Sequence, residues 1–155
     1  MTLRAFSRSL PMALLRCRDA VMARFRPMLR EHGISEQQWR ILRALESDGP
    51  MRASDLAADT LLSLPSLSRL LKTLSDRRLI RRTPSAEDQR AMTITITDKG
   101  RRLVQEIAPR SEAIYADLAA EIGAGELDRL YRMLAHATAS LGPPPRRSGT
   151  GTGGD

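Results

Sequence analysis

The spacing of apolar residues predicts a long amphipathic helix at the start of the chain. Between residues 10 and 32 the apolar positions step by three and four, which is the period of one helix face. They are Leu10, Leu14, Cys17, Val21, Phe25 and Met28. Pro27 should bend this helix or end its regular hydrogen bonding early, and Gly33 should stop it. Residues 1–9 form a basic arm without a regular pattern.

A second helix follows, and a capping box at residues 35–38, Ser-Glu-Gln-Gln, marks its start. The helix should run to about Ser47, because the Asp-Gly-Pro turn at residues 48–50 comes next. Its inner stripe consists of Trp39, Leu42 and Leu45, with Gln38 on the same side.

Residues 51–98 predict a short helix, a turn, a further helix and then a two-stranded ribbon. Pro65 suits the first position of the further helix, because its missing N–H would have no partner there. One face of that helix carries Leu67, Leu70, Leu71 and Leu74. Residues 79–80 and 92–97 read as strands, the latter alternating apolar and polar side chains, and residues 83–91 form a polar tip between them. This order is that of a winged helix-turn-helix.

The polar face of the further helix suits the major groove of DNA. Short hydroxyls let a helix approach closely, and an arginine can bond a guanine edge with two parallel hydrogen bonds. Arginines follow at positions 77, 78, 81 and 82, so that a basic ribbon adjoins a basic helix. The alternative for the helix alone is a solvated polar face. The candidate DNA-binding residues are Pro65, Ser66, Ser68, Arg69, Lys72, Thr73, Arg82, Asp88 and Arg90.

This segment resembles the MarR family of bacterial transcription regulators. The resemblance is carried by residues 55–57 (Asp-Leu-Ala), 65–69 (Pro-Ser-Leu-Ser-Arg), 88–90 (Asp-Gln-Arg) and 96–100 (Ile-Thr-Asp-Lys-Gly). The family usually has Leu where this chain has Ile96. The resemblance implies that Asp88 and Arg90 shape the tip of the wing and that Arg90 enters the minor groove. It also implies repression as the commoner mode of regulation.

The terminal helices are too long for the core of one small domain. Thr97 should cap a helix that begins at Asp98, with Leu103, Ile107, Ile114, Leu118 and Ile122 turned inward. Pro109 should kink it, and residues 123–125 should break it before a last helix that carries Leu127, Leu130, Tyr131, Leu134 and Leu141.

A symmetric partner is the simplest cover for these apolar faces, and the resemblance implies the same. The alternative is a monomer with a separate small bundle. The predicted fold class is mainly α with a small β-wing, a winged helix-turn-helix at residues 35–97 whose terminal helices, 10–34 and 98–141, form an intertwined homodimer. Its two recognition helices would lie about 34 Å apart and require a pseudo-palindromic operator in double-stranded DNA. Residues 142–155 should be a disordered tail.

Composition favours a polyanionic partner and argues against other classes. The formal net charge is +7, and nearly all the cations are arginine, with Lys72 and Lys99 the two lysines. A single cysteine, Cys17, indicates a reducing compartment. No apolar run is long enough to span a membrane. The N-terminus is a poor signal peptide, because its apolar stretch is short and broken by Pro11. We therefore expect a cytoplasmic protein without a membrane partner.

The residues that catalysis or metal binding needs are scarce. The two histidines, His32 and His136, lie on separate predicted helices, and the sequence has no nucleophile elbow, zinc motif or phosphate-binding glycine loop. We therefore expect no enzyme activity, no cofactor and no metal site.

Residues 6–48 resemble more narrowly the branch of the MarR family that regulates homoprotocatechuate (4-hydroxyphenylacetate) degradation. The run Glu-Gln-Gln-Trp-Arg at residues 36–40 is the most telling piece. The branch implies a small aromatic acid as effector, which needs a flat apolar wall, a cation and a polar group. The candidate effector-binding residues are Ser9, Arg16, Arg18, Gln38, Trp39 and Arg40. Each has a structural alternative in core packing, capping or ion pairing, and Arg40 in fixing the wing.

Two other regulatory readings remain open. Some MarR relatives sense peroxides with a cysteine on the first helix, and Arg16 and Arg18 beside Cys17 would favour its thiolate. However, the peroxide-sensing position in those relatives corresponds to the region of Pro11, six residues earlier, and a cysteine on an apolar stripe is usually a small core residue. The second reading is a non-specific architectural DNA binder, which would show little sequence preference.

Overall fold

Six α-helices and a small sheet make up the part of the chain described by the computed structural model, residues 1 and 3–142. The elements are α1 (Leu10–Glu31), α2 (Glu36–Asp48), β1 (Met51–Arg52), α3 (Ala53–Thr60), α4 (Leu64–Asp76), β2 (Ile80–Pro84), β3 (Met92–Ile96), α5 (Asp98–Ile122) and α6 (Ala124–Leu141). A single 3-10 turn, Phe6–Arg8, precedes α1. The predicted tail lies outside the described residues apart from Gly142.

Local signals in the sequence set most of the helix ends. The Ser35 side chain accepts a hydrogen bond from the Gln38 N–H, and the Gln38 side chain accepts one from the Ser35 N–H, so the predicted capping box is confirmed. Thr97 caps α5 through the Gly100 N–H. Gly33 has a positive φ of 63°, which a glycine adopts without strain just after a helix. Helix α1 continues through Pro27 to Glu31, so of the two predicted effects of this proline, a bend or an early end, the early end does not occur.

The sheet has three antiparallel strands in the order β1-β3-β2, and the predicted two-stranded ribbon was one strand short. In β1, Met51 pairs with Ile94 of β3. Strand β2 is longer than predicted, because it runs from Ile80 to Pro84 and therefore includes Arg81 and Arg82. The alternation along β3 is confirmed. Ile94 and Ile96 are buried, whereas the alternating Thr93 and Thr95 are partly exposed.

One hydrophobic core holds the winged region against the terminal helices. It joins the last turns of α1 to α2, α3, the inner face of α4, the sheet and the first half of α5. Among its most buried side chains are Met28, Leu29, Ile41, Leu42, Leu45, Leu56, Leu67, Leu74, Leu79, Ile94 and Ile107. Helix α4 therefore has a fixed support on one side and presents its other side to solvent.

The outer parts of the terminal helices lack such support within one chain. Helix α6 has no buried residue. On α1 the predicted stripe is buried only near its end, at Phe25 and Met28, whereas Leu10, Leu14 and Cys17 are exposed. The prediction that Ile122 turns inward is wrong for a single chain, because it is exposed at the end of α5. None of the helices in the described part of the chain is both long enough and apolar enough to cross a membrane.

Candidate nucleic-acid interface

Helix α4 is the centre of the candidate interface. Ser63 caps it by accepting a hydrogen bond from the Ser66 N–H at 3.3 Å, so the helix begins at Leu64 and Pro65 takes the second position rather than the predicted first. The inner leucines, including Leu67, are buried as predicted, with Leu70 partly so. The Pro65, Ser68, Arg69, Lys72 and Thr73 side chains are exposed on the outer side.

The exposed side chains of α4 differ in whether they form hydrogen bonds or ion pairs with other residues of the chain. Lys72 forms an ion pair with Asp76 at 3.0 Å, and the Thr73 hydroxyl donates to the Arg69 carbonyl. Ser66 is partly buried, and its hydroxyl accepts from that of Ser63. Within residues 1 and 3–142, the side chains of Ser68 and Arg69 make no hydrogen bond and no ion pair. These two are therefore available to an external partner.

The wing is built around Asp88. Its Oδ1 accepts a hydrogen bond from the Arg90 N–H at 3.0 Å, and its Oδ2 lies 4.0 Å from Nη2 of Arg52 on β1. The Ser85 N–H donates to the Ala91 carbonyl at 2.8 Å, which closes the tip. Asp88 therefore shapes the tip, as the family resemblance implied, and the Arg90 side chain extends into solvent.

The turn of residues 77–79 joins α4 directly to the wing. Arg82 is exposed on β2, which follows that turn, and pairs in register with Ile94. The helix and the wing are thus successive parts of one packed unit. Both carry exposed arginine side chains, the chemical feature that recognises phosphates and base edges.

The predicted effector residues lie around the junction of α1 and α2, but most have partners. Glu36, at the start of α2, forms ion pairs with Arg18 at 3.0 Å and with Arg26 at 2.5 Å. The hydrogen bond from Arg26 holds the pKa of the Glu36 carboxyl below its ordinary value, burial opposes that shift, and Arg18 adds to it. Gln38 is buried, and its carbonyl oxygen serves the capping box.

The other predicted effector residues are more scattered. The Arg16 guanidinium lies over the Phe6 ring, 5.5 Å from its centroid, and Ser9 is partly buried just before α1. Arg40 donates to the Thr60 carbonyl at the end of α3 at 2.7 Å. Burial lowers the pKa of Arg40, repulsion from Arg18 lowers it further, and Glu36 opposes the shift. The structure therefore brings Arg18 and Arg40 together near Glu36, apart from Arg16.

The sequence analysis missed two aromatic contacts, one made by Trp39 and one made by Phe25. The Arg43 guanidinium lies over the Trp39 ring, 5.9 Å from its centroid. Tyr115 of α5 contacts the Phe25 ring at 5.1 Å between centroids. Burial raises the pKa of Tyr115, Tyr131 adds to the rise, and the charge of Arg43 opposes it. The spacing of four residues between Trp39 and Arg43 was a usable signal, whereas no local pattern points to Tyr115.

Comparison with known proteins agrees with this architecture. A sequence profile of the MarR family matches residues 32–91. The homoprotocatechuate degradative operon repressor of Escherichia coli is 34% identical over 126 residues, which cover 81% of this chain and 85% of that protein.

Two solved structures have the same fold. NadR in complex with 4-hydroxyphenylacetate has a TM-score of 0.77 and 31% identity, covering 88% of this chain and 97% of that one. CouR, a transcriptional repressor bound to a 23-mer DNA duplex, has a TM-score of 0.77 and 25% identity, covering 88% and 99%. With its winged helix-turn-helix fold, the chain belongs to the MarR family of DNA-binding transcriptional regulators.

Proposed function

We propose that this protein is a homodimeric repressor that binds a pseudo-palindromic operator upstream of an aromatic-acid catabolic operon. A small phenolic acid of the homoprotocatechuate or 4-hydroxyphenylacetate type would release it from the DNA. The observation that carries the proposal is the outer face of α4, where the Ser68 and Arg69 side chains are exposed and uncommitted above a fully packed inner face. The named functions of the E. coli relative and of NadR support the choice of operon and effector.

The roles of the individual DNA-binding residues follow from whether each side chain already has a hydrogen-bond or ion-pair partner in the chain. Arg69 and Ser68 read base edges, because their polar atoms are free to do so. Lys72 and Arg82 neutralise phosphates, with Lys72 exchanging Asp76 for DNA. Arg90 enters the minor groove from the wing. The remaining candidates shape and cap α4 and the wing, and they contact only the sugar-phosphate backbone of the DNA. They are Pro65, Ser66, Thr73 and Asp88.

A homodimer is proposed because the terminal helices carry exposed apolar faces. Phe6, Leu10 and Leu15 on the N-terminal side, and Tyr131 and Leu141 on α6, are each more than half exposed in the single chain. Exposed apolar surface of this kind marks protein interfaces. A symmetric partner that covers them would place two copies of α4 about one turn of duplex apart, roughly 34 Å.

For the effector we propose a site beside Trp39, with Arg43 or Arg18 as the cation. The indole supplies a flat apolar wall, and the Arg43 side chain forms no ion pair within the described part of the chain. The candidate polar group is the Tyr115 hydroxyl, whose pKa burial raises and the charge of Arg43 lowers. Of the residues predicted from the sequence, Trp39 suits this site best, and Ser9 makes no side-chain capping bond to α1. Arg18 would have to exchange Glu36 for the ligand, and Gln38, Arg16 and Arg40 also already have partners.

The DNA-binding part of the proposal is tested with Arg69→Ala. An operator duplex is first selected from random sequences with the wild-type protein, and affinity is then measured on it and on random DNA. Loss of Arg69 should cost about 1–3 kcal/mol on the selected operator and less on random DNA. Arg129→Ala, on the exposed side of α6, is the control and should change neither affinity. Equal losses on both duplexes would favour an architectural DNA binder.

The regulatory part is tested by titrating the operator complex with 4-hydroxyphenylacetate and homoprotocatechuate. A ligand shifts the equilibrium only by its different affinity for the free and DNA-bound forms. We expect operator affinity to fall as either acid is added. Unchanged affinity at saturating ligand would rule out this effector class. Cys17→Ser should respond as the wild type does, and loss of a peroxide response in that variant would favour redox sensing.

A further inference from the structure

Both turns that flank the recognition helix α4 contain a non-glycine residue in the left-handed conformation. Leu61, after α3, has a φ of 54°, and Arg78, after α4, has a φ of 59°. Within the described part of the chain, no other non-glycine residue has a positive φ. A side chain in this region of conformational space is strained, so surrounding contacts must hold each turn in place.

The turn before α4 is held from α2. Nη1 of Arg40 donates to the carbonyl oxygen of Thr60, the last residue of α3, at 2.7 Å. Thr60 itself is buried, and its hydroxyl donates to the Leu56 carbonyl at 2.5 Å. The carbonyl ends of a helix carry partial negative charge, so a guanidinium at this point is electrostatically favoured.

The turn after α4 is held from the first turn of α5. Nζ of Lys99 donates to the carbonyl oxygen of Arg77, the C-cap of α4, at 3.0 Å. The Thr97 hydroxyl donates to the Arg78 carbonyl at 2.7 Å, and the Thr97 N–H donates to the Leu79 carbonyl at 3.0 Å. An ammonium group again lies at the negative end of a helix.

We propose that Arg40 and Lys99 are positioning residues for DNA recognition. In the sequence Arg40 is a candidate effector contact, and Lys99 belongs to the run of residues 96–100 that closes the wing. In the fold each directs its charge to a backbone carbonyl beside one of the two turns that flank α4, Arg40 at the end of α3 and Lys99 at the end of α4. Together they set the direction in which α4 enters the groove. Because Lys99 belongs to α5, α4 follows any displacement of that helix. This inference rests on the proposed operator binding.

Lys72 provides a matched control for Lys99, because these are the two lysines of the chain. Lys72→Met and Lys99→Met are compared with the wild type on the selected operator and on random DNA, across a series of salt concentrations. Loss of a phosphate contact weakens both complexes and lowers the slope of log affinity against log salt by about 0.9 for each phosphate. That is the result expected for Lys72→Met.

For Lys99→Met we expect about a tenfold loss of operator affinity, the factor for one charge-assisted hydrogen bond. Random-DNA affinity and both salt slopes should stay as in the wild type. Lys99→Arg should restore operator affinity, since a guanidinium can donate to the same carbonyl. Arg40→Met should behave like Lys99→Met and carries the test if that variant does not fold, as judged by circular dichroism and urea unfolding.

Three results would overturn the inference. A reduced salt slope for Lys99→Met would make Lys99 a phosphate contact. An unchanged ratio of operator to random affinity would leave it a purely structural group, and failure of Lys99→Arg to restore binding would exclude the carbonyl bond as the cause. If the wild-type protein itself shows no preference for any selected duplex, the proposed function fails, which is distinguishable from failure of the positioning role.

Discussion

The winged region and the last helix differ in how much of their apolar surface one chain can bury. In residues 35–97 the inner faces of α2, α3, α4 and the sheet meet in one core, and side chains such as Ile41 and Leu74 have no exposed surface. Helix α6 is similarly rich in leucine, yet none of its residues is buried. One chain therefore buries the apolar faces of the winged region, whereas the apolar side chains of α6 are not buried within it.

The largest expected effect is a loss of stability from a substitution in the core of the winged region. Leu74→Ala removes a side chain with 0% exposure and should lower the free energy of unfolding by about 2–5 kcal/mol, through lost burial and the cavity left behind. Leu64→Ala is the matched control on the same helix, because Leu64 is 54% exposed, and it should change stability by no more than about 0.5 kcal/mol. Urea unfolding measures both. Similar losses would break the comparison.

In the proposed homodimer, a charge placed on α6 should separate the two copies. Leu134→Glu puts a carboxylate on the apolar face of α6, so sedimentation should show the mass of one chain instead of two. Operator affinity should then fall by about a hundredfold or more, because the two winged regions no longer bind as a linked pair. His136→Glu, on the opposite side of the same helix, should leave the association intact. A wild-type protein that is monomeric at micromolar concentration would contradict this picture.

Two glycines sharpen the comparison further, because replacement by alanine should lower the stability at one position and raise it at the other. A Cβ at Gly100 would overlap the Leu79 carbonyl oxygen and lie 2.7 Å from Cγ1 of Ile96. Gly100→Ala should therefore destabilise the protein by about 1–3 kcal/mol. Gly125, on α6, has nothing within 4 Å of a Cβ, and Gly125→Ala should stabilise the helix by about 0.5–1 kcal/mol. Thermal unfolding compares them. Destabilisation by Gly125→Ala would mean that a partner packs against this part of α6.

The smallest effect concerns the pH dependence of the ion pairs that join α1 to the winged region. Arg26 and Arg18 on α1 hold the pKa of Glu36 on α2 below its ordinary value of 4.5. The unfolded chain therefore binds a proton more readily, and the stability that the pairs contribute is present above pH 4.5 and is lost as the pH falls through the lower folded value. Urea midpoints should drop less steeply in acid for Glu36→Gln than for the wild type. Identical slopes would show that the pairs contribute nothing.

The sequence predicted those parts of the fold that neighbouring residues determine. The caps at Ser35 and Thr97 and the alternation of residues 92–96 are local signals, and the structure follows them. The two-residue strand β1 escaped prediction because its partner, Ile94, is far along the chain and so short a segment has no pattern of its own. The exposed Ile122 was misjudged because periodicity identifies an apolar face but does not say which chain covers it.

The candidate site was predictable to the same extent. The residue types on α4 and the wing indicate a nucleic-acid partner. Hydroxyls and an arginine occur at helical spacing on α4, and further arginines occur on the wing. Which cations remain free for that partner depends on the tertiary structure. Arg69 is uncommitted, whereas Arg40 and Lys99 are bonded to carbonyls of residues that lie 20 and 22 positions away. The neighbouring sequence of a charged residue does not show whether its side chain is free to bind DNA or is bonded to a distant backbone carbonyl.

Trp39 has an optical consequence. It is the single tryptophan of the chain, and it is partly exposed on α2 with the Arg43 guanidinium over its ring. Tryptophan fluorescence therefore reports on the junction of α1 and α2 alone, because no second tryptophan in the chain contributes to it. A small molecule that displaces Arg43 or stacks on this ring would change the fluorescence of the unlabelled protein, so that occupancy of the junction is measurable with no DNA present.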